Sequence, residues 1–256
     1  MSRPASLTFT ALGGLPTIGA GDDLATLIAE AARRCEIAWQ DGDALVIAQK
    51  IVSKAEGRRV ALAAVTPSPR ARDLAQTVDK DPRLVELILR ESQQVLRARP
   101  GVLIVVHRLG FVLANAGIDA SNVETDGEEA VLLLPEDPDA SAERLRQRLA
   151  AMTGAELGIV INDSFGRAWR LGTIGTAIGV AGLPALIDLR GRADRTGRAL
   201  RVTEVGAADE LAAAASLLMG QAAEGRPVVH LRGFPYARRP GQARELLRPA
   251  PLDLFR

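Results

Sequence analysis

The chain has one cysteine in 256 residues, which excludes an internal disulfide and a cysteine-rich metal site. Aromatic residues make up 3% of it, too few for the stacking platforms that hold single-stranded nucleic acid. The formal net charge is +1, so no overall field draws the molecule to nucleic acid or to an anionic membrane. No run reaches the roughly 20 apolar residues of a membrane helix. The nearest, Leu171 to Ile187, is seventeen uncharged residues broken by four glycines and Pro184, and it reads as a buried interior segment. No basic stretch followed by an apolar core opens the sequence, so no signal peptide is read and cytoplasmic residence is expected. The familiar site motifs are missing too: there is no G-x-x-x-x-G-K-[ST], no H-E-x-x-H and no G-x-S-x-G. The two histidines, His107 and His230, sit at the ends of expected strands and read as structural.

What is present is an ordinary soluble composition, 47% apolar and 25% charged. The length lets the chain bury roughly 70–75% of its unfolded surface without staples. "DDLATLIAEAARRCEIAW" reads as a helix capped by Asp22 or Asp23, with an apolar stripe that includes Cys35. "ALVIA" (44–48), "GVLIVVHR" (101–108), "LGIVI" (157–161) and "PVVHLRG" (227–233) read as strands. The segment 81–97 carries a helical stripe behind Pro82, and 137–154 is a helix closed by Gly154. "PALIDLRG" and "RALRVTEV" read as strands joined by a polar turn. An alanine-rich helix from 208 runs into "MGQAAEG" and closes at Gly225. The elements mix without strict β-α-β alternation, which predicts an α+β architecture rather than a doubly wound sheet. The tail from Phe234, with five Arg and four Pro, has no clear periodicity.

Polar residues gather where apolar elements end. "VSKAEGR" brings Ser53, Lys54, Glu56 and Arg58; "NAGIDASNV" brings Asn115, Asp119, Ser121 and Asn122; "NDSFGRAWR" brings Asp163, Ser164, Arg167 and Arg170. Loops at strand ends are where sites are built. Mg²⁺ and Mn²⁺ take oxygen ligands, commonly one or two carboxylates with substrate phosphates. Asp119 and Asp163 can supply carboxylates, Ser164 a hydroxyl and Gln221 an oxygen, while Lys54, Arg167 and Arg170 can balance phosphate charge. The same residues also fit a plainer reading, with the aspartates as turn or cap residues and the arginines in surface ion pairs. Spacing alone leaves both readings open and names no substrate.

The stretches "GLPTIGAGDDL", "VIAQKIVSKAEGR", "RLGFVLANAGIDASNV", "INDSFGRAWRLGTIGTAIGVAGL" and "MGQAAEGRPVVHLRG" occur in an order that resembles the coenzyme F420-0:L-glutamate ligase family. The resemblance runs over residues 12–233 and leaves 1–11 as an N-terminal extension and 234–256 as an Arg/Pro-rich tail. It implies an α+β mixed-sheet fold particular to that family, an intertwined homodimer, and joining of L-glutamate to the deazaflavin precursor F420-0. The reaction implied uses GTP and releases GDP and phosphate, with two divalent ions (Mg²⁺ or Mn²⁺) and K⁺ as cofactors; further γ-linked glutamates can follow. Carried over residue by residue, the nucleotide contacts are Leu15, Pro16, Thr17, Ile18, Gln49, Lys54, Asn122 and the loop Met219, Gly220, Gln221, Ala222, Ala223, Glu224, Gly225 and Arg226. Asp119 and Asp163 match the carboxylates of one metal, Ser164 and Gln221 the ligands of the other. Asp163, Arg167 and Arg170 are the candidate catalytic residues, the arginines facing acidic substrates. Many relatives have Pro where this chain has Ala168. A ligase of the same fold acting on another acid, and a non-catalytic nucleotide-binding protein, are the alternatives.

Overall fold

The computed structural model describes residues 5–119 and 129–253. In chain order the elements are β1 (Thr8–Ala11), α1 (Leu24–Arg34), β2 (Ala44–Ala48), α2 (Gln49–Ala55), β3 (Arg59–Ala61), α3 (Pro69–Val78), α4 (Pro82–Arg90), β4 (Ser92–Arg99), β5 (Val102–His107), β6 (Val112–Ala114), β7 (Ala130–Leu132), α5 (Pro138–Thr153), β8 (Gly158–Arg167), β9 (Arg170–Ala181), β10 (Ile187–Asp188), β11 (Glu204–Val205), α6 (Ala207–Met219) and β12 (Val228–Arg232). The main sheet has the order β1-β12-β2-β8-β9. Only β2 and β8 run parallel in it; the other pairs are antiparallel. The architecture is therefore mixed α+β.

The central strands ALVIA and GIVI are buried along their whole length because both faces of the sheet are covered. Helix α6 lies against β1, β2, β8, β9 and β12, while α5 packs on β8 and β9 and carries α1. Close approach explains two glycines of β9. A Cβ on Gly175 would stand 2.4 Å from the Ala212 carbonyl oxygen of α6, and one on Gly179 would stand 2.4 Å from the Pro138 carbonyl oxygen of α5. A register shift lies between the two glycines, which is how neighbouring turns of one strand meet different helices. A smaller antiparallel meander, β4-β5-β6, packs with α3 and α4 over a separate cluster that includes Val85, Ile88, Leu103 and Val105.

Four expectations change. The helix over 81–97 stops at Arg90, and Ser92–Arg99 is strand. Pro100 and Gly101 (φ +84°) close a two-residue loop, and pairing with β5 outweighs the helical spacing of the segment. The late helix ends at Met219, not Gly225, because Gly220 adopts φ +74° and caps it; "GQAAEG" is a loop. Of the two strands expected over 184–205, only Ile187–Asp188 and Glu204–Val205 pair regularly. The uncharged run from Leu171 is exposed over its first three residues and buried mainly from Gly175 to Ala185. Leu171 is 99% exposed, because β8 and β9 outrun the other strands there.

The ends of the chain pack on this body. β1 pairs with β12, and in the tail Ala243 is buried, Phe234 stacks on Tyr236, and the Tyr236 hydroxyl donates to the Asp43 carbonyl at 3.2 Å. Both histidines are buried: His230 Nε2 lies 2.9 Å from Asp43, and His107 Nε2 lies 3.5 Å from Glu91. No helix among the described residues is long and apolar enough to cross a membrane.

Candidate active site

The carboxyl end of β2 and the middle of β8 open into a cavity of about 510 Å³. Three backbone segments are stitched together around it. Leu12 N–H donates to the Val228 carbonyl, Ala48 N–H to that of Pro227, and Gly21 N–H to that of Ala55, at 2.8–2.9 Å. These bonds bring the loop after β1, the start and end of α2, and the loop before β12 to one place. The cavity wall then contains Leu15, Pro16, Thr17, Ile18, Gln49, Lys54, Asp163, Ser164, Met219, Gly220, Gln221, Ala222, Gly225 and Arg226. Those residues come from four separate stretches of sequence.

Asp163 is the centre of the arrangement. Burial pushes its carboxyl up to about 6; the Asp119 carboxylate adds to the rise, and the Ser164 N–H, Lys50 and the Gln49 side chain oppose it. Gln49 is itself buried and held, since the Ser53 hydroxyl donates to its Oε1 at 2.9 Å. Its amide is thereby turned toward Asp163. Asp119 is not part of the wall. A two-way backbone bridge to Leu132 fixes it beside the cavity, and its Oδ2 lies 2.6 Å from Lys50 Nζ. Residues adjacent on a strand point to opposite faces, so Ser164 turns from Asp163 toward α6. There its hydroxyl donates to Gln221 Oε1 at 2.7 Å. The buried Asn162 donates to the Met219 sulfur at 3.5 Å, and its Oδ1 is left without a partner among the described residues.

The loop after α6 is shaped by its own residues. Glu224 accepts from Ala222 N–H at 2.9 Å, and backbone N–H groups hold its carboxyl below the usual range. A Cβ on Gly220 would collide with that carboxylate at 2.1 Å, on a backbone already at φ +74°. Ala223 and Glu224 are outside the wall. Asn122 and Ser121 lie outside the described residues.

Arg167 and Arg170 do not enter the cavity either. They face each other across the exposed turn at the end of the β8–β9 ribbon. Glu56 and Arg58 are used elsewhere. Glu56 holds Ser141 and Arg144 on α5, and Arg58 bonds the Leu134 carbonyl and Glu91. Lys50 is the residue that sequence reading missed. It stands one helical turn before Lys54 on α2, and the i, i+4 spacing to a candidate cation was the available signal.

A larger cavity of about 1030 Å³ lies at the other end of the sheet, between α5, the end of β9 and the tail. None of the described candidate residues lines it.

The family description "F420-0:Gamma-glutamyl ligase" matches residues 14–233. The chain belongs to the F420-0:gamma-glutamyl ligase family. The coenzyme F420:L-glutamate ligase of Methanothermobacter thermautotrophicus is 50% identical over 245 residues, covering 95% of this chain and 96% of that protein. That of Methanopyrus kandleri is 45% identical over 260 residues (96% and 100%), and that of Archaeoglobus fulgidus 45% over 243 residues (95% and 94%). Every residue of the cavity wall falls within the family's span, whereas β1 precedes it and the tail follows it.

The donor set suits a hard divalent cation. All candidate donors are oxygens: two carboxylates, of which Asp163 is raised by burial and further by Asp119, and a hydroxyl and an amide oxygen 2.7 Å apart. Two acids that disfavour each other's charge are the group a cation relieves.

Proposed function

We propose that the chain is a GTP-dependent ligase that joins L-glutamate to the terminal carboxylate of coenzyme F420-0, through an acyl phosphate, with release of GDP and phosphate. What carries the reading is the convergence of four sequence segments on one cavity around Asp163, in a chain 45–50% identical to proteins named coenzyme F420:L-glutamate ligase. Asp119 and Asp163 would hold one divalent ion, Mg²⁺ or Mn²⁺, and Ser164 with Gln221 a second. When bound, these ions supply neutralisation of the phosphoryl oxygens. Lys54 and Arg226, cations of the wall, bind nucleotide phosphate; Leu15 to Ile18 and the Met219–Arg226 loop line the nucleotide, with Asn122 beside it. Gln49 fixes the Asp163 carboxylate as an acceptor by donating to it. No residue of the wall needs to act as a covalent nucleophile: attack by the acceptor carboxylate on the γ-phosphorus and then by the glutamate amine on the acyl carbon are positioned rather than mediated. Addition of further γ-linked glutamates, a K⁺ response, the intertwined homodimer and a cytoplasmic location belong to the same reading and rest on the family.

The test is incubation with F420-0, GTP, Mn²⁺ and glutamate, with mass spectrometry of the products. One added glutamyl unit with matching GDP is expected. Turnover of another carboxylic acid in place of F420-0 would move the acceptor assignment. Equal rates with ATP would remove the GTP assignment, and nucleotide binding without glutamate-dependent phosphate release would sink the ligase reading.

A further inference from the structure

Strand β2 ends its pairing at Ala48, opposite Asn162, and beyond that point β8 and β9 pair only with each other among the described residues. The ribbon carries Ser164 at its root and the turn Arg167–Arg170 at its tip. Trp169 in that turn is 87% exposed, and Leu171 beside it 99%. The Trp169 backbone sits at φ +65°, a left-handed conformation that costs a bulky residue of order 1 kcal/mol. Single exposed apolar residues are common, but an indole held out on a strained, projecting turn between two arginines is an expensive way to build a plain surface. The root of the ribbon is anchored by the edge-to-face contact of Phe165 with Phe111, ring centroids 6.0 Å apart. The tip therefore stands at a defined distance from the cavity. At about 3.3 Å per strand residue, Trp169 lies on the order of 13 Å from Ser164. That is the span of a linker of roughly ten covalent bonds.

We propose that the Trp169 indole is the stacking platform for the planar heterocycle of the acid acceptor, with Arg167 and Arg170 gripping the anionic linker that runs from that ring down to the carboxylate in the cavity. The inference rests on the ligase reading and deepens it, by assigning acceptor specificity to a part of the chain outside the nucleotide cavity. An indole face accepts a flat heteroaromatic ring, and guanidinium groups on both sides hold a phosphodiester or carboxylate between ring and reaction centre. It also explains why the cations of this stretch are not in the cavity: the nucleotide is served by Lys54 and Arg226, the acceptor by the ribbon.

The experiment compares wild type, Trp169→Ala and Trp169→Phe in steady-state kinetics, together with quenching of tryptophan emission by F420-0 without nucleotide. Stacking of one ring is worth roughly a 5- to 100-fold change in affinity. Trp169→Ala is expected to raise KM for F420-0 by that order while leaving kcat and KM for GTP within about 2-fold, and Trp169→Phe should recover most of the loss. Quenching by F420-0 should disappear in Trp169→Phe, where Trp39 alone emits. An unchanged KM for F420-0 in the alanine variant overturns the platform while leaving the ligase intact. A wild type that fails to turn over F420-0 removes the ligase reading, and quenching then still reads the platform. Light scattering adds the remaining outcome: loss of a two-chain species in Trp169→Ala, with KM for F420-0 unchanged in the active fraction, means that the indole docks on a second copy, and the proposal fails.

Discussion

Two cavities of the molecule lie at opposite ends of one sheet, and they differ in how they treat charge. In the larger one, between α5 and the tail, arginines are answered by acids: Arg146 by Glu143 at 2.7 Å, Arg238 by Asp41 at 2.9 Å, Arg239 by Glu245 at 3.2 Å. Its buried Asp139, raised by burial, accepts N–H groups from Val180 and Ala243 at 2.8 Å each. In the smaller one, Asp163 is raised by burial, with Asp119 beside the wall adding to the rise; Lys50 is paired with Asp119 at 2.6 Å, but among the described residues Lys54 and Arg226 have no ion pair and the Asn162 oxygen has no donor. Size points to the first cavity, but most of its charged groups are already satisfied. Asp163, raised to about 6, and the Asn162 oxygen without a donor among the described residues mark the second.

The largest test of that contrast is Asp163→Asn. GDP release with F420-0 and glutamate should fall at least about 100-fold, more than a supporting residue costs. Stability of the ligand-free protein should move the other way. The Asp163 carboxyl titrates at about 6 in the fold against 3.8 when free, so ionisation costs the folded state increasingly as pH rises from 3.8 through about 6. The asparagine variant should therefore melt at the same temperature or higher at pH 7, and a lower melting temperature would show that the aspartate is structural.

A compensated carboxylate should behave in reverse. Glu91 receives Arg108 Nε at 2.9 Å, and Arg58 and His107 approach it at 3.3 and 3.5 Å. Burial alone would raise its carboxyl, but these donors outweigh burial and hold it at about 2, against 4.5 when free. Its contribution is present above pH 4.5 and is lost as pH falls from there toward 2. Glu91→Gln should cost roughly 2–3 kcal/mol in urea unfolding at pH 7, with the difference from wild type shrinking below pH 4.5. Gly175→Ala should cost about 1–3 kcal/mol, because the added methyl meets the Ala212 carbonyl at 2.4 Å and helix backbone does not step aside.

Much of this was legible in the chain, for reasons that differ by element. The capped helix from Leu24 and the apolar strands Ala44–Ala48 and Gly158–Ile161 were legible because local pattern and tertiary burial agree there. Residues 91–97 were not, because nothing within the segment announces that β5 will pair with it; the Pro100–Gly101 turn carried that information. At the site, the segments could be named from the resemblance, but their convergence depends on backbone bonds such as Ala48 to Pro227, 179 residues apart in the chain. Lys50 escaped because its i, i+4 spacing to Lys54 is a weak signal on a short helix until Asp119 is placed against it. The exposure of Arg167 and Arg170 escaped because the ribbon's length is set by where its neighbour β2 stops, not by anything in "GRAWR".

The smallest expected effect separates the cavities most cleanly. Arg239 lies in the wall of the larger cavity, its side chain 44% exposed and paired with Glu245 at 28%. An ion pair so exposed is screened by water and contributes little. Arg239→Ala should shift stability by less than about 0.5 kcal/mol and leave GDP release unchanged at saturating F420-0, GTP and glutamate. A loss of activity in this variant, with stability intact, would mean that the larger cavity binds something the reaction needs, and that compensated charge is no guide to where this molecule works.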